Sequence, residues 1–244
     1  MTEWPATIGQ LRNRIARGEL TPEQAIERQR QKWRTDGMQW HCAITLDPDP
    51  EPRPIGPLTG VTLAHKDIFD LPGRAPGMGL NTGTPDPRRH RAAALELLAQ
   101  AGAEQSATLC MAPLASGATG QNPHFERVLN PIDPLLALGG SSSGSAAAVA
   151  AGLSYFSLGT DTAGSVRIPA ATCAILGLKT THGLIDTTGC APLSPSRDSI
   201  GILSRHVDDA RDAAAAGEAA GRIRAHGRHR ERRDARVHVA PDRE

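Results

Sequence analysis

The chain has 244 residues and 25.7 kDa, and its 27 lysines and arginines against 26 acidic residues leave a formal charge of +1. That balance gives no support for steering toward nucleic acid or an acidic partner. An apolar content of 39% with 3% aromatics predicts one sizeable domain packed through small side chains, and no apolar run approaches the roughly 20 residues that span a bilayer.

Ile8, Leu11 and Ile15 stand at helical spacing within 7–17, with Gly18 as the stop. Thr21-Pro22-Glu23-Gln24 then supplies an N-cap threonine, a proline at the first helical position and a glutamine able to close a capping box. This second helix is expected to reach about Arg34. His41 to Leu46 reads as a short strand, followed by a proline-rich connection over 47–57 that cannot sit inside a sheet. Gly60 to Lys66 is a further strand with the lysine at its end. Alternation along it turns His65 to the face opposite Lys66.

Residues 71–87 are rich in glycine and proline and predict loop. A helix over 92–100 ending at Gly102 feeds a strand at 107–110, and strand, helix, strand in that order predicts a crossover in a sheet with helices on its faces. A short helix is expected within 111–117, irregular chain over 122–134, a helix over 145–151 and a buried strand over 155–158. A helix over 169–176, a strand starting at Asp198 and a helix over 206–216 complete the elements. From Gly221 onward eight arginines and three histidines accompany few aliphatic residues. That composition predicts a solvated tail, and the domain division expected is 1–210 for the folded part and 211–244 for the tail.

Chemistry concentrates in residues 139–170, where two glycine/serine turns, 139–145 and 162–165, flank a helix and a strand. A turn such as Thr162-Ala163-Gly164-Ser165 can aim several N–H groups at one point, the geometry an oxyanion needs. A serine ending such a turn is a candidate nucleophile, inert until something accepts its proton. No histidine lies in the stretch, and the chain has only three lysines, Lys32, Lys66 and Lys179. Lys66, at the end of an apolar strand, would have its pKa lowered by burial and could act as a neutral base. Lys179 is its rival. A Ser-Lys hydrolase follows as the reading of the residues themselves. A phosphate-loop reading of 139–145 fails for want of the Gly-Lys-Ser/Thr sequence.

The two turns, the upstream lysine, and the intervals of 75 residues from Lys66 to Ser141 and 24 from Ser141 to Ser165 resemble the amidase signature family. The resemblance covers roughly residues 5–210. It implies a Ser-cisSer-Lys triad with Lys66 as base, Ser141 as bridging serine and Ser165 as nucleophile, and an oxyanion hole from the backbone of Thr162, Ala163, Gly164 and Ser165. Pro76 to Leu80 is similar to a segment near the family's active site, Asn130-Pro131 to its approach to the first turn, and Asp161 with Arg167 to its structural pair beside the nucleophile. Ser143 and Ala163 stand where glycines are usual, and His65 is less usual before the lysine.

The fold implied is α/β, with an amidase-signature-like mixed central sheet flanked by helices. It is expected to be incomplete, because family members continue for about as many residues again. The function implied is hydrolysis of a small-molecule carboxylic amide through an acyl-enzyme, weak or absent in the shortened chain. An amidotransferase A-type subunit needing partners, and a non-catalytic gene fragment, stand as alternatives. No cofactor or metal is expected, and a second copy or a complementing subunit is the expected macromolecular partner, with no membrane or nucleic acid. Cys42, Cys110, Cys173 and Cys190 lack metal-ligand spacing and read as buried free thiols. With no basic region and apolar core at the start, a cytoplasmic setting is expected.

Overall fold

A computed structural model describes residues 4–46, 53–81, 85, 86 and 89–219. The N-terminal arm forms as its caps dictate. Helix α1 covers Ile8–Ala16, and the Thr7 hydroxyl accepts the Gln10 N–H. Gly18 at φ +71° ends the turn that follows. In α2, Pro22–Lys32, both hydrogen bonds of the Thr21/Gln24 capping box are present. The expected extension to Arg34 is a single wide π-turn over Trp33–Gly37 that buries Trp33.

Six strands make one sheet: β1 Ala43–Leu46, β2 Thr62–Lys66, β3 Glu104–Leu109, β4 Phe156–Asp161, β5 Leu176–Lys179 and β6 Ser199–Ser204. Their order is β1-β3-β2-β4-β6-β5. β2 runs parallel to both β3 and β4, and the β1–β3, β4–β6 and β5–β6 pairs are antiparallel, so the sheet is mixed. The crossover from β2 to β3 passes through α3, Ala93–Gln100.

Side chains alternate between two packed layers. Leu63 of β2, Phe156 and Leu158 of β4, and Ile200 and Ile202 of β6 meet α1, α3 and α6 on one face. Ala64, Ala107, Leu109 and Leu203 meet α4, Ser143–Ala150, on the other. Helix α4 carries nothing larger than valine, so it lies almost on the strands. A Cβ at Gly144 would stand 2.6 Å from the Cys42 carbonyl oxygen and 2.7 Å from the Cys110 nitrogen. Helix α5 covers Arg167–Thr172 and α6 covers Val207–Ala219.

Three expectations need correction, and one is met in reduced form. The helix expected over 169–176 starts earlier and stops at Thr172, because Ala174 takes a positive φ and the chain then enters β5, an edge strand absent from the sequence reading. β3 begins at Glu104, where the polar pair Glu104-Gln105 is held by Arg30 and Arg91. The short helix within 111–117 is one 3₁₀ turn, Pro113–Ala115. α6 runs through the division expected at residue 210, and Ala213 and Ala216 beyond it are buried in the core. The rest of the expected tail, from 220, lies outside the described residues.

Candidate active site

Lys66 closes β2, an interior strand, so the solvated-edge environment common for a strand-end lysine does not arise. Its side chain is fully buried, as is Ser141. Lys66 Nζ donates to Ser141 Oγ at 2.7 Å and to Thr160 Oγ1 of the adjacent β4 at 2.8 Å. Burial pushes the Lys66 ammonium down to about 7, against the opposing pull of Cys190, Asp161 and Asp198. A lysine so placed passes between ammonium and amine near neutral pH.

Ser141 follows a cis peptide bond from Gly140, and its carbonyl accepts the Ala112 N–H at 3.0 Å. Ser165 is brought alongside through the backbone, its carbonyl accepting the Ser142 N–H at 3.1 Å. The Ser165 side chain is partly exposed and its hydroxyl makes no hydrogen bond among the described residues. Lysine and first serine are therefore in direct contact, and the second serine is a neighbour with a free hydroxyl.

The second turn is organised by Asp161, at the end of β4 and with no exposed surface. Its carboxylate accepts the Gly164 N–H at 2.8 Å and the Val166 N–H at 3.2 Å, and pairs with Arg167 through Nε and Nη2, each at 3.0 Å. Burial alone would raise the Asp161 carboxyl, but Arg167 and the two N–H groups outweigh it and hold the group below the ordinary range. Gly164, at φ +132°, thus points its N–H inward, away from any oxyanion outside the turn. Of the four groups expected to form the hole, those of Thr162, Ala163 and Ser165 carry no partner among the described residues.

Several neighbours fix this arrangement. Asp67, next to the lysine, accepts the N–H groups of Gly77 and Gly79 and so ties the 76–80 loop to the site. His65 is buried on the other side of β2, donates from Nδ1 to the Lys66 carbonyl at 3.0 Å and packs edge-on against Phe69. Burial lowers its pKa to about 4, so it stays neutral. Lys179 lies on edge strand β5 and donates to Ser199 Oγ at 2.9 Å, with no hydrogen bond to either turn. Cys42, Cys110 and Cys173 are buried free thiols, but Cys190 is only partly buried. Thr160 is a site residue that the sequence does not mark, since it reaches Lys66 only through the pairing of β2 with β4. Among the described residues no cluster of histidine, cysteine or carboxylate could hold a metal ion, and no helix is long and apolar enough to cross a membrane.

The amidase family profile matches residues 43–231. Amidase 1 of Oryza sativa subsp. japonica is 47% identical over 165 residues, which cover 65% of this chain and 37% of the rice protein. The A-type subunit of a glutamyl-tRNA(Gln) amidotransferase from Exiguobacterium sp. is 48% identical over 120 residues, covering 49% of this chain and 25% of its own length. Among solved structures, the peptide amidase of Stenotrophomonas maltophilia aligns with a TM-score of 0.78 at 29% identity, over 86% of this chain and 47% of that one. This chain spans well under half the length of those curated relatives and about half of that solved chain. It belongs to the amidase family.

Proposed function

We propose that the chain carries the acyl-transfer centre of an amide hydrolase, with Lys66 as base, Ser141 as relay and Ser165 as nucleophile. The observation that carries this reading is the contact between a fully buried lysine of lowered pKa and Ser141 Oγ at 2.7 Å. In the reaction, the amine of Lys66 takes the Ser141 proton, Ser141 takes that of Ser165, and Ser165 Oγ bonds to the amide carbonyl carbon. Negative charge moves to the carbonyl oxygen, which the N–H groups of Thr162, Ala163 and Ser165 would receive. One such donor is worth about 3 to 4 kcal/mol. As the C–N bond breaks, the proton returns through Ser141 to the departing amine. Water then enters by the same relay and releases the acid.

Turnover by this chain alone is expected to be slow. Ala163 is exposed and Thr162 and Ser165 are partly so, and water around the turn weakens each contact to the developing charge. A second copy or a complementing subunit that covered the turn would raise the rate. The similarity to an amidotransferase component supports a second use of the same centre, as an A-type amidotransferase subunit that needs partner subunits. A cytoplasmic setting belongs to the same proposal, in keeping with four free cysteines.

The test is labelling of the purified chain by a fluorophosphonate, beside Ser165→Ala and Lys66→Ala. Labelling of the wild type that disappears in both variants is the expected result. A folded wild-type chain that takes no label would refute an autonomous centre.

A further inference from the structure

At the opposite end of β4 from Asp161 lies a pocket of about 350 Å³ that the acyl-transfer centre does not use. Trp4, Arg28, Lys32 and Asp36 of the N-terminal arm form one wall, and Tyr155 and Arg205 form the other. Tyr155 and Asp161 are six residues apart, so pocket and second turn are separated by about 20 Å at about 3.3 Å per residue. Three of these six side chains are cationic and one is a carboxylate.

Two of the cations converge. A Cβ at Gly152 would stand 3.0 Å from Lys32 Nζ and 3.5 Å from the Arg205 Nη1, so both nitrogens border one small volume. Gly152 has φ +69° and carries no side chain into that volume. Among the described residues neither Lys32 nor Arg205 makes a salt bridge. Arg205 is fixed from behind, its Nη1 donating to the carbonyls of Val149 and Ser154 at 2.7 and 3.1 Å. Lys32 has its pKa lowered first by burial and then by Arg205, and Asp36 only partly opposes them. Arg28 completes the set, its guanidinium 4.5 Å from the Trp4 ring centre.

Holding two cations against one another in a half-buried pocket is unfavourable unless an anion joins them; Asp36 borders the pocket and Asp209 acts on Arg205 from the core side, but among the described residues neither forms a salt bridge with Lys32 or Arg205. From this convergence we infer that the pocket is a binding site for a small oxyanion, a carboxylate or phosphate group that accepts from Lys32 Nζ and lies against the positive charge of the Arg205 guanidinium, with the organic part of the ligand against Trp4 and Tyr155. The volume suits a ligand at the lower end of small-molecule size. Helix α4 and strand β4 both run between this pocket and the two glycine/serine turns, so an occupant would rest beyond the far ends of the helix that Ser141 leads into and of the strand that ends at Asp161. The inference is independent of the chemistry proposed for Lys66.

The experiment titrates the full chain with inorganic phosphate and, separately, with benzoate at low ionic strength. Chloride at matched ionic strength is the control, and melting temperature and tryptophan fluorescence are the readouts. A saturable rise in Tm with at least one probe is expected, with a fluorescence change that Trp4→Phe removes. Lys32→Gln is expected to weaken the apparent affinity at least tenfold, and Lys32→Arg to retain it. Lys32→Met, which keeps the length of the apolar stem, provides the same comparison should Lys32→Gln fail to give a native circular dichroism spectrum. Saturation by phosphate alone or benzoate alone identifies which oxyanion the site takes. No saturable response beyond chloride, or an equal response in the folded Lys32→Gln or Lys32→Met chain, overturns the inference.

Discussion

Lys66 Nζ donates to Thr160 Oγ1 at 2.8 Å, a contact nearly as short as the one it makes with Ser141 Oγ. Thr160 stands on the neighbouring strand, so Nζ is held between β4 and the first glycine/serine turn. Thr160→Val keeps the shape and removes the acceptor. Loss of one such hydrogen bond is worth about 1 to 1.5 kcal/mol, or about tenfold in rate. Fluorophosphonate labelling of Ser165 is therefore expected to slow about tenfold, with a fall in Tm of a few degrees. An unchanged labelling rate would show that Thr160 does not position the base.

The pH dependence of labelling follows from Lys66 itself. Its lowered pKa of about 7 makes the group an ammonium below that value and an amine above it, and only the amine can accept the Ser141 proton. The labelling rate is expected to climb about tenfold per pH unit below neutrality and to level off above about pH 7. A midpoint near that of ordinary lysine, about 10.4, would mean that the site is wet and the lysine is not desolvated. The measurement is a rate profile from pH 5 to 10 on the wild type, with Ser165→Ala as the unlabelled background.

Asp161→Ala removes the acceptor of the Gly164 and Val166 N–H groups together with the partner of Arg167. Arg167 is 53% exposed, so its half of the pair is screened and the larger cost comes from the backbone donors left in a buried turn. A loss of about 2 kcal/mol is expected from urea unfolding. The sign of the accompanying pH effect is fixed by the direction of the shift. A carboxyl held low in the folded chain contributes stability above its ordinary value, and that contribution disappears as pH falls through the folded value. Wild type and variant should therefore converge in stability under acid and separate toward neutrality.

Much of this centre could be read from the sequence because its residues are tied to long intervals and to two glycine/serine turns. Lys66, Ser141 and Ser165 stand at positions marked by such intervals, and Asp161 and Arg167 are marked only by their resemblance to the family's pair beside the second turn. Thr160 could not be read in the same way, since its contact with Lys66 depends on β4 lying beside β2, and nothing local to Gly159-Thr160-Asp161 states that pairing. The inward turn of the Gly164 N–H is equally non-local in cause, being set by the acceptor geometry of Asp161. In the fold, capped helices α1 and α2 were legible to within a turn. β5 was not, because four partly exposed residues at a sheet edge, Leu-Gly-Leu-Lys, carry no alternation strong enough to separate them from the preceding helix. The start of β3 was hidden by Glu104 and Gln105, polar residues that the folded chain accommodates by pairing them with Arg30 and Arg91.

Helix α4 provides the remaining test, because it links packing to the site directly. Gly144 lies in its first turn, donates its N–H to the Cys110 carbonyl at 2.9 Å, and leaves no room for a side chain against the Cys42 and Cys110 backbone. Gly144→Ala forces a methyl group to within 2.6 Å of the Cys42 carbonyl oxygen unless the helix backs away from the sheet. Overpacking of this kind costs about 1 to 3 kcal/mol, against a gain of up to about 1 kcal/mol in helix propensity from replacing glycine, and contact with backbone atoms on two sides puts Gly144 at the costly end. The retreat would carry Ser141 and Ser142 with it, since they lead directly into the helix, and would lengthen the Lys66 to Ser141 contact. Both a lowered urea midpoint and slower labelling are expected. Loss of stability with an unchanged labelling rate would show that the first turn holds its place independently of the helix behind it.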